Sequence, residues 1–242
     1  MSNRVLTPDK DPMGKAIADY HSSGKAGKLR VFSSMFEEDQ IPVKQLFRTY
    51  KEMPVLERTA LDMAEGKILD VGAGSGCHAQ ALLDMGKDVT AIDISPFAVG
   101  VMLERGIRAS VADFFDTHFS GTFDTILMLM NGSGIIGKTE NLPAFFHRLK
   151  QLLSPSGFVL MDSSDLRYLY ENEDGSFDLD LNAGYYGEVD FRMQYNQVKG
   201  ETFDWLYIDF QTLGFYASQS GFHVEKIREG SHYDYLAKIS FA

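Results

Sequence analysis

The stretch ILDVGAGSGCHA, residues 68–79, carries the decisive pattern of this chain. An apolar run ends on an acid, Asp70, and passes at once into glycines at alternate positions, Gly72, Gly74 and Gly76. Residues at helical spacing, Ala79, Leu82 and Leu83, then lead to Gly86. A strand that turns through bare backbone into a helix is suited to a ligand pressed closely against the main chain.

The segments downstream repeat the alternation. KILDVG, DVTAID, IRASVAD, FDTILMLM and GFVLMD are short apolar runs bounded by Gly, Asp or Ser, as expected of buried parallel strands. Between them lie helical stretches. Ser95 and Pro96 read as an N-cap and first turn, Gly106 as a stop, and Phe145, Leu149, Leu152 and Leu153 keep helical spacing before Pro155. Parallel neighbours need crossover connections, so the expected fold is α/β, a doubly wound, mostly parallel Rossmann-like sheet.

The flanks read differently. Residues 1–66 hold two helix-like stretches broken by Pro42 and Pro54 and form an N-terminal helical cap. Residues 67–162 are the Rossmann-like core, in which the glycine turn is the expected ligand-binding place. Residues 163–209 are an insertion: a loop, then alternating runs EVDFRMQYNQ and TFDWLYID around a glycine-containing turn, an antiparallel hairpin. Residues 210–242 supply a last helix and a closing strand pair, FHVEKIREG and YDYLAKISF.

Composition bounds the partners. The 242 residues are 44% hydrophobic, enough for one core at the usual ceiling of ~250 residues per domain. Against 34 acidic residues stand 23 basic ones, a net charge of -11 that repels a phosphate backbone, so no nucleic acid is expected. No apolar run approaches the roughly 20 residues that span a bilayer, so no membrane partner is expected. The opening MSNRVLTPDKDPMGK has no signal-peptide core, and the single cysteine, Cys77, has no internal partner. A cytoplasmic protein is the expectation.

Two further acids sharpen the glycine turn. Asp93 ends the second strand, 17 residues after Gly76, where a carboxylate can accept both hydroxyls of a ribose. Asp113 ends the third in VADFF, beside Phe114. Together ILDVGAGSG, VTAIDIS, VADFF, FDTILMLMNGSG and GFVLMD resemble the successive motifs of class I S-adenosylmethionine-dependent methyltransferases. The glycine spacing, G-x-G-x-G, also departs from the dinucleotide fingerprint.

The resemblance implies S-adenosylmethionine as cofactor and a set of roles. Asp70 organises the glycine loop and the methionine ammonium, Gly72, Ala73 and Gly74 let that moiety lie on backbone, and Asp93 holds the ribose. Ile94 and Phe114 sandwich adenine, Asp113 accepts from its amine, and Asn131 faces the sulfonium. The implied activity is methyl transfer to a small-molecule acceptor, mainly by positioning. Candidates for a catalytic group are Asn131, Tyr20, His21, Tyr186, His232 and Tyr233, from the segments expected to roof the pocket.

Other features stay open. Cys77 and His78 start a helix, where Cys77 reads as a small residue rather than a nucleophile, and His78 either reaches the cofactor carboxylate or is a solvated or core histidine. No metal is expected: Asp162 and Asp165 in DSSD invite one, but strand four ends in MLMNG, without a carboxylate. The acidic run from Glu171 to Asp180 is either a receiver of cationic acceptors or a solvated loop. Tyr185, Tyr186, Phe191, Trp205 and Tyr207 are either an aromatic cage or the hairpin's packing face. The rival functions are a polyamine-synthase-like enzyme on the same fold, a nicotinamide-dependent oxidoreductase and a non-catalytic cofactor-binding module.

Overall fold

The computed structural model describes residues 4–172, 174, 176, 177 and 184–242. The chain begins with α1 (Pro12–Ser23), whose N-cap Asp11 accepts from the Gly14 amide and whose C-cap Gly24 is left-handed. Two strands follow, β1 (Leu29–Phe32) and β2 (Asp39–Ile41), then α2 (Val55–Met63). The expected cap is therefore only partly helical.

The core strands are β3 (Lys67–Val71), β4 (Asp88–Asp93), β5 (Ala109–Val111), β6 (Phe123–Met128) and β7 (Leu153–Ser164). Between them run α3 (Cys77–Asp84), α4 (Pro96–Glu104) and α5 (Leu142–Leu152). Ser95 caps α4 by accepting from the Ala98 amide. Leu153, placed in a helix by its spacing, instead opens β7, because α5 ends at Leu152. The insertion contributes β8 (Glu188–Tyr195), the two-residue β9 (Val198–Lys199) and β10 (Phe203–Leu206). Then come α6 (Phe210–Gln219), β11 (Phe222–Glu229) and β12 (Asp234–Phe241).

Seven strands form one sheet in the order β11-β12-β7-β6-β3-β4-β5. The pairs β3–β4, β4–β5, β3–β6 and β6–β7 are parallel, and β12 is antiparallel to both β7 and β11. Helices α2 and α3 bury one face of the sheet and α5 and α6 the other. Strand order reverses at β3, so the crevice beyond its carboxyl end is the expected ligand site.

A second sheet packs against the turn that follows β6. Its order, β10-β8-β1-β2, joins the N-terminal segment to the insertion. Leu29 pairs with Tyr195 and Phe32 with Arg192. The Tyr195 hydroxyl donates to Asp19 of α1 at 3.0 Å and accepts from the Gly27 amide at 3.1 Å, stapling the two segments. Trp205 of β10 lies flat on the 3-10 turn Gly132–Ile136 that follows β6; a Cβ on Gly134 would overlap its indole. The cap and the hairpin thus share one sheet. Of the acidic run Glu171 to Asp180, residues 173, 175 and 178–180 lie outside the described residues.

Candidate active site

The glycine turn is built as its composition demands. Gly72, Gly74 and Gly76 have φ of +68°, +57° and +79°, a region costly for any side chain. The Gly72 backbone is exposed, and a Cβ there would lie 2.9 Å from Ile135 Cδ1. Behind the turn Asp70 is 1% exposed. One of its oxygens receives the Ala79 amide, while Oδ2 has no hydrogen-bond partner. Burial pushes its carboxyl up, against the pull of nearby His78.

Asp93 stands at the end of β4 with both oxygens on backbone amides, Oδ2 from Gly74 and Oδ1 from Ser95, each at 2.8 Å. Burial pushes its carboxyl up to about 6 despite those bonds. Ile94 is half-buried beside it. Asp113, 3% exposed, accepts from the Phe115 amide at 3.0 Å and from the Arg4 amide at 3.2 Å.

Arg4 begins a strap that the sequence did not announce. Its guanidinium donates to the Ile135 carbonyl at 3.1 Å and lies 4.9 Å over the Phe115 ring, and the Leu6 amide donates to the Ile94 carbonyl at 2.9 Å. The strap therefore crosses the residues expected to hold adenine. Phe114 is corrected by the structure: it is 2% exposed and packs on Phe145 in the core. Phe115, half-buried under Arg4, presents the ring at this place instead.

After β6 the chain makes two left-handed residues in succession, Met130 at φ +67° and Asn131 at φ +58°. Asp162 of β7 holds this turn, accepting from Met130 at 3.2 Å and Gly132 at 2.9 Å. Its carboxyl is pushed up to about 6 by burial. Asn131 Nδ2 donates to the Leu206 carbonyl at 3.5 Å, whereas its buried Oδ1 has no partner. Among the described residues, Asp70 Oδ2 and Asn131 Oδ1 are the two buried side-chain polar atoms left without one.

The other candidates separate in space. Tyr186 donates to Asp165 at 2.8 Å just beyond β7, and Tyr233, left-handed and exposed, stacks on Tyr168 with its carbonyl accepting from the Asp165 amide. Both are thus tied to Asp165, three residues beyond the Asp162 that holds the Asn131 turn. His232 sits in the β11–β12 connection, where its amide donates to Asp234. Tyr20 packs on Phe47 at 4.9 Å, and His21 pairs with Glu104 on the outer side of α4. The structure does not bring Tyr20, His21 and His232 together with Asn131.

His78 lies in a buried cluster. Its Nε2 is 2.9 Å from Glu57 Oε2, and the same oxygen accepts from Arg48 Nη2 at 2.5 Å. Burial works to raise the Glu57 carboxyl, but His78 and Arg48 hold it below its usual value. Cys77 is 4% exposed, and burial pushes its thiol up to about 12, so it is inert as a nucleophile at neutral pH.

Residues 68–157 match a family described as a methyltransferase domain. The crystal structure of an S-adenosylmethionine-dependent methyltransferase from Bacteroides fragilis, in complex with S-adenosyl-L-homocysteine, is 64% identical. That match has a TM-score of 0.94 and covers 99% of this chain and 98% of the other. Among curated proteins, the cypemycin N-terminal methyltransferase of a Streptomyces species is 30% identical over 102 residues, 40% of this chain and 42% of that protein. The ubiquinone biosynthesis O-methyltransferase of Xanthomonas oryzae is 26% identical over 111 residues, 43% of this chain and 45% of that protein. The chain thus spans less than half the length of these two curated relatives. With nearly full-length agreement at 64% identity behind it, the chain belongs to the S-adenosylmethionine-dependent methyltransferases.

Proposed function

We propose that the protein transfers a methyl group from S-adenosylmethionine to a small molecule held between the mouth of the seven-stranded sheet and the composite lid. The observation that carries this reading is Asp70 Oδ2, a carboxylate oxygen 1% exposed at residue level and without a partner, directly behind a bare glycine backbone. An acceptor left dry in this way costs about 1–3 kcal/mol, more when charged, and the cofactor's ammonium is the donor that removes the cost. The residues present therefore fit the group.

In this reading Gly72, Ala73 and Gly74 lie along the methionine moiety, Asp93 takes the ribose hydroxyls, and Ile94 with Asp113 borders the adenine. Phe115 replaces Phe114 as the adenine's ring neighbour. Bound cofactor supplies an electrophilic methyl on a cationic sulfur. The protein's own share is positioning: holding a nucleophile in line at ~3–3.5 Å recovers most of the attainable rate. Asn131, fixed by Asp162, faces the reacting end, and Tyr186 and Tyr233 are its nearest companions among the candidates. Tyr20, His21 and His232 serve the lid and surface.

The division of labour follows the two sheets. Residues 67–162 and 210–242 hold the cofactor, with the strap at residues 4–6 across its adenine end; the rest of residues 1–66 and residues 163–209 cover the acceptor. The net charge of -11 supports a small acceptor over a nucleic acid and, with one buried cysteine, a cytoplasmic setting. Among the described residues no helix is long and apolar enough to cross a membrane.

Parallel calorimetric titrations with S-adenosylmethionine, S-adenosylhomocysteine and NAD test the reading. Micromolar binding of the first two, without NAD, is expected; binding of NAD alone, or of none, refutes it.

A further inference from the structure

Asn131 Oδ1 is a buried acceptor with no donor, on the turn that the methyl-transfer reading assigns to the reacting end. A ligand that brings an N–H or O–H satisfies it; one that brings only acceptors leaves it orphaned. The surrounding charge narrows the choice. Asp162 lies under the turn, Asp165 caps the segment after β7, and Asp209 caps α6. The three carboxylates surround the buried Tyr235, whose hydroxyl is held well above its usual range first by burial and then by their charge. Against them stands Arg167, 3.4 Å from Asp165 and half-exposed.

The walls are aromatic. Tyr186, bonded to Asp165, has Tyr185 at 4.7 Å and Tyr170 edge-on at 6.2 Å. Tyr168 and Tyr233 form a stacked pair at 5.1 Å and are 41% and 56% exposed. Open phenol faces beside carboxylates attract cations and repel anions.

We infer that the methyl acceptor is an amine that arrives as an ammonium, met by Asn131 Oδ1, Asp165 and the tyrosine wall. The inference rests on the methyl-transfer reading above. The ammonium gives one proton to water, and the nitrogen lone pair forms the new N–C bond as the methyl C–S bond breaks with its electron pair staying on sulfur. The methylated nitrogen sheds its surplus proton to water.

Phenethylamine, phenethyl alcohol and phenylacetate share a ring and differ in charge. Each is titrated calorimetrically into protein saturated with S-adenosylhomocysteine. Phenethylamine is expected to bind at least about tenfold tighter than the alcohol, a difference of about 1.4 kcal/mol, and phenylacetate weakest. Asn131→Gly, which suits the left-handed backbone, erases the preference, and Asn131→Asp restores it. Equal or tighter binding of the alcohol or the acid overturns the inference, as does no binding of any probe at ~10 mM. Failure of S-adenosylhomocysteine itself to bind is visible in the first step and withdraws both readings.

Discussion

Gly134→Ala is the sharpest single perturbation of the lid. Gly134 lies under Trp205, and a methyl group there occupies the volume of the indole. Its backbone φ is not positive, so the change introduces no backbone strain and its whole effect is the eviction of the ring. A fully enclosed tryptophan buries about 150–250 Å². For half-buried Trp205, about 100 Å² of contact is at stake, or about 2.5 kcal/mol at 25 cal/mol per Å². For a chain of this length each kcal/mol shifts melting by about 2–4 °C, so a loss of about 5–10 °C is expected. The assay is direct because Trp205 is the chain's single tryptophan. Its emission should move to the red in Gly134→Ala as the indole meets water, together with the fall in melting temperature. Wild-type emission with melting changed by under ~2 °C, within what half a kcal/mol produces, would show that the ring is not seated there.

Three further outcomes follow from the site. Asp93→Ala should weaken S-adenosylhomocysteine binding by at least about a hundredfold, two charge-assisted hydrogen bonds being lost, and unchanged affinity removes the ribose assignment. Because the Asp93 carboxyl is held up to about 6, affinity should be flat above pH 6 and fall about tenfold per unit below it; the slope lessens in Asp93→Asn if this group is responsible. Glu57→Ala strips the partner from buried Arg48 and His78 and should cost about 3–5 kcal/mol in urea unfolding, while a loss under ~1 kcal/mol would leave the cluster without a structural role. A chain starting at Thr7 frees Asp113 and Phe115 from Arg4; S-adenosylhomocysteine should then leave at least about threefold faster in stopped flow, and an equal off-rate shows the strap stands aside.

What was legible in the sequence is what depends on neighbours along the chain. The turn from Asp70 to Gly76, the cap at Ser95, and the apolar strands all declare themselves within a dozen residues. The parts that stayed hidden depend on distant partners. β1 and β2 are four and three residues long, too short to read as strands, and become strands because β8 supplies the missing ladder. Asp162, left without a role once a metal is set aside, accepts from amides 30 and 32 residues earlier. His78 meets Glu57 from 21 residues away, and Arg4 reaches Asp113 across 109. Phe114 and Phe115 are adjacent and of one type, so only the turn after β5 tells which ring goes to the core.

The composite lid also dictates an order of events during folding. Gly27 and Tyr195 meet across 168 residues, and closing a loop of that length costs about 4–5 kcal/mol in chain entropy before any lid contact forms. The crossovers of the parallel core close far shorter loops, so loop entropy favours a core that gathers before the lid. Between those moments the mouth stands open with Asp70 and Asp93 already in place. On a refolding chain the cofactor therefore meets its site before a roof exists, and the last ladder to zip closes over an occupied floor.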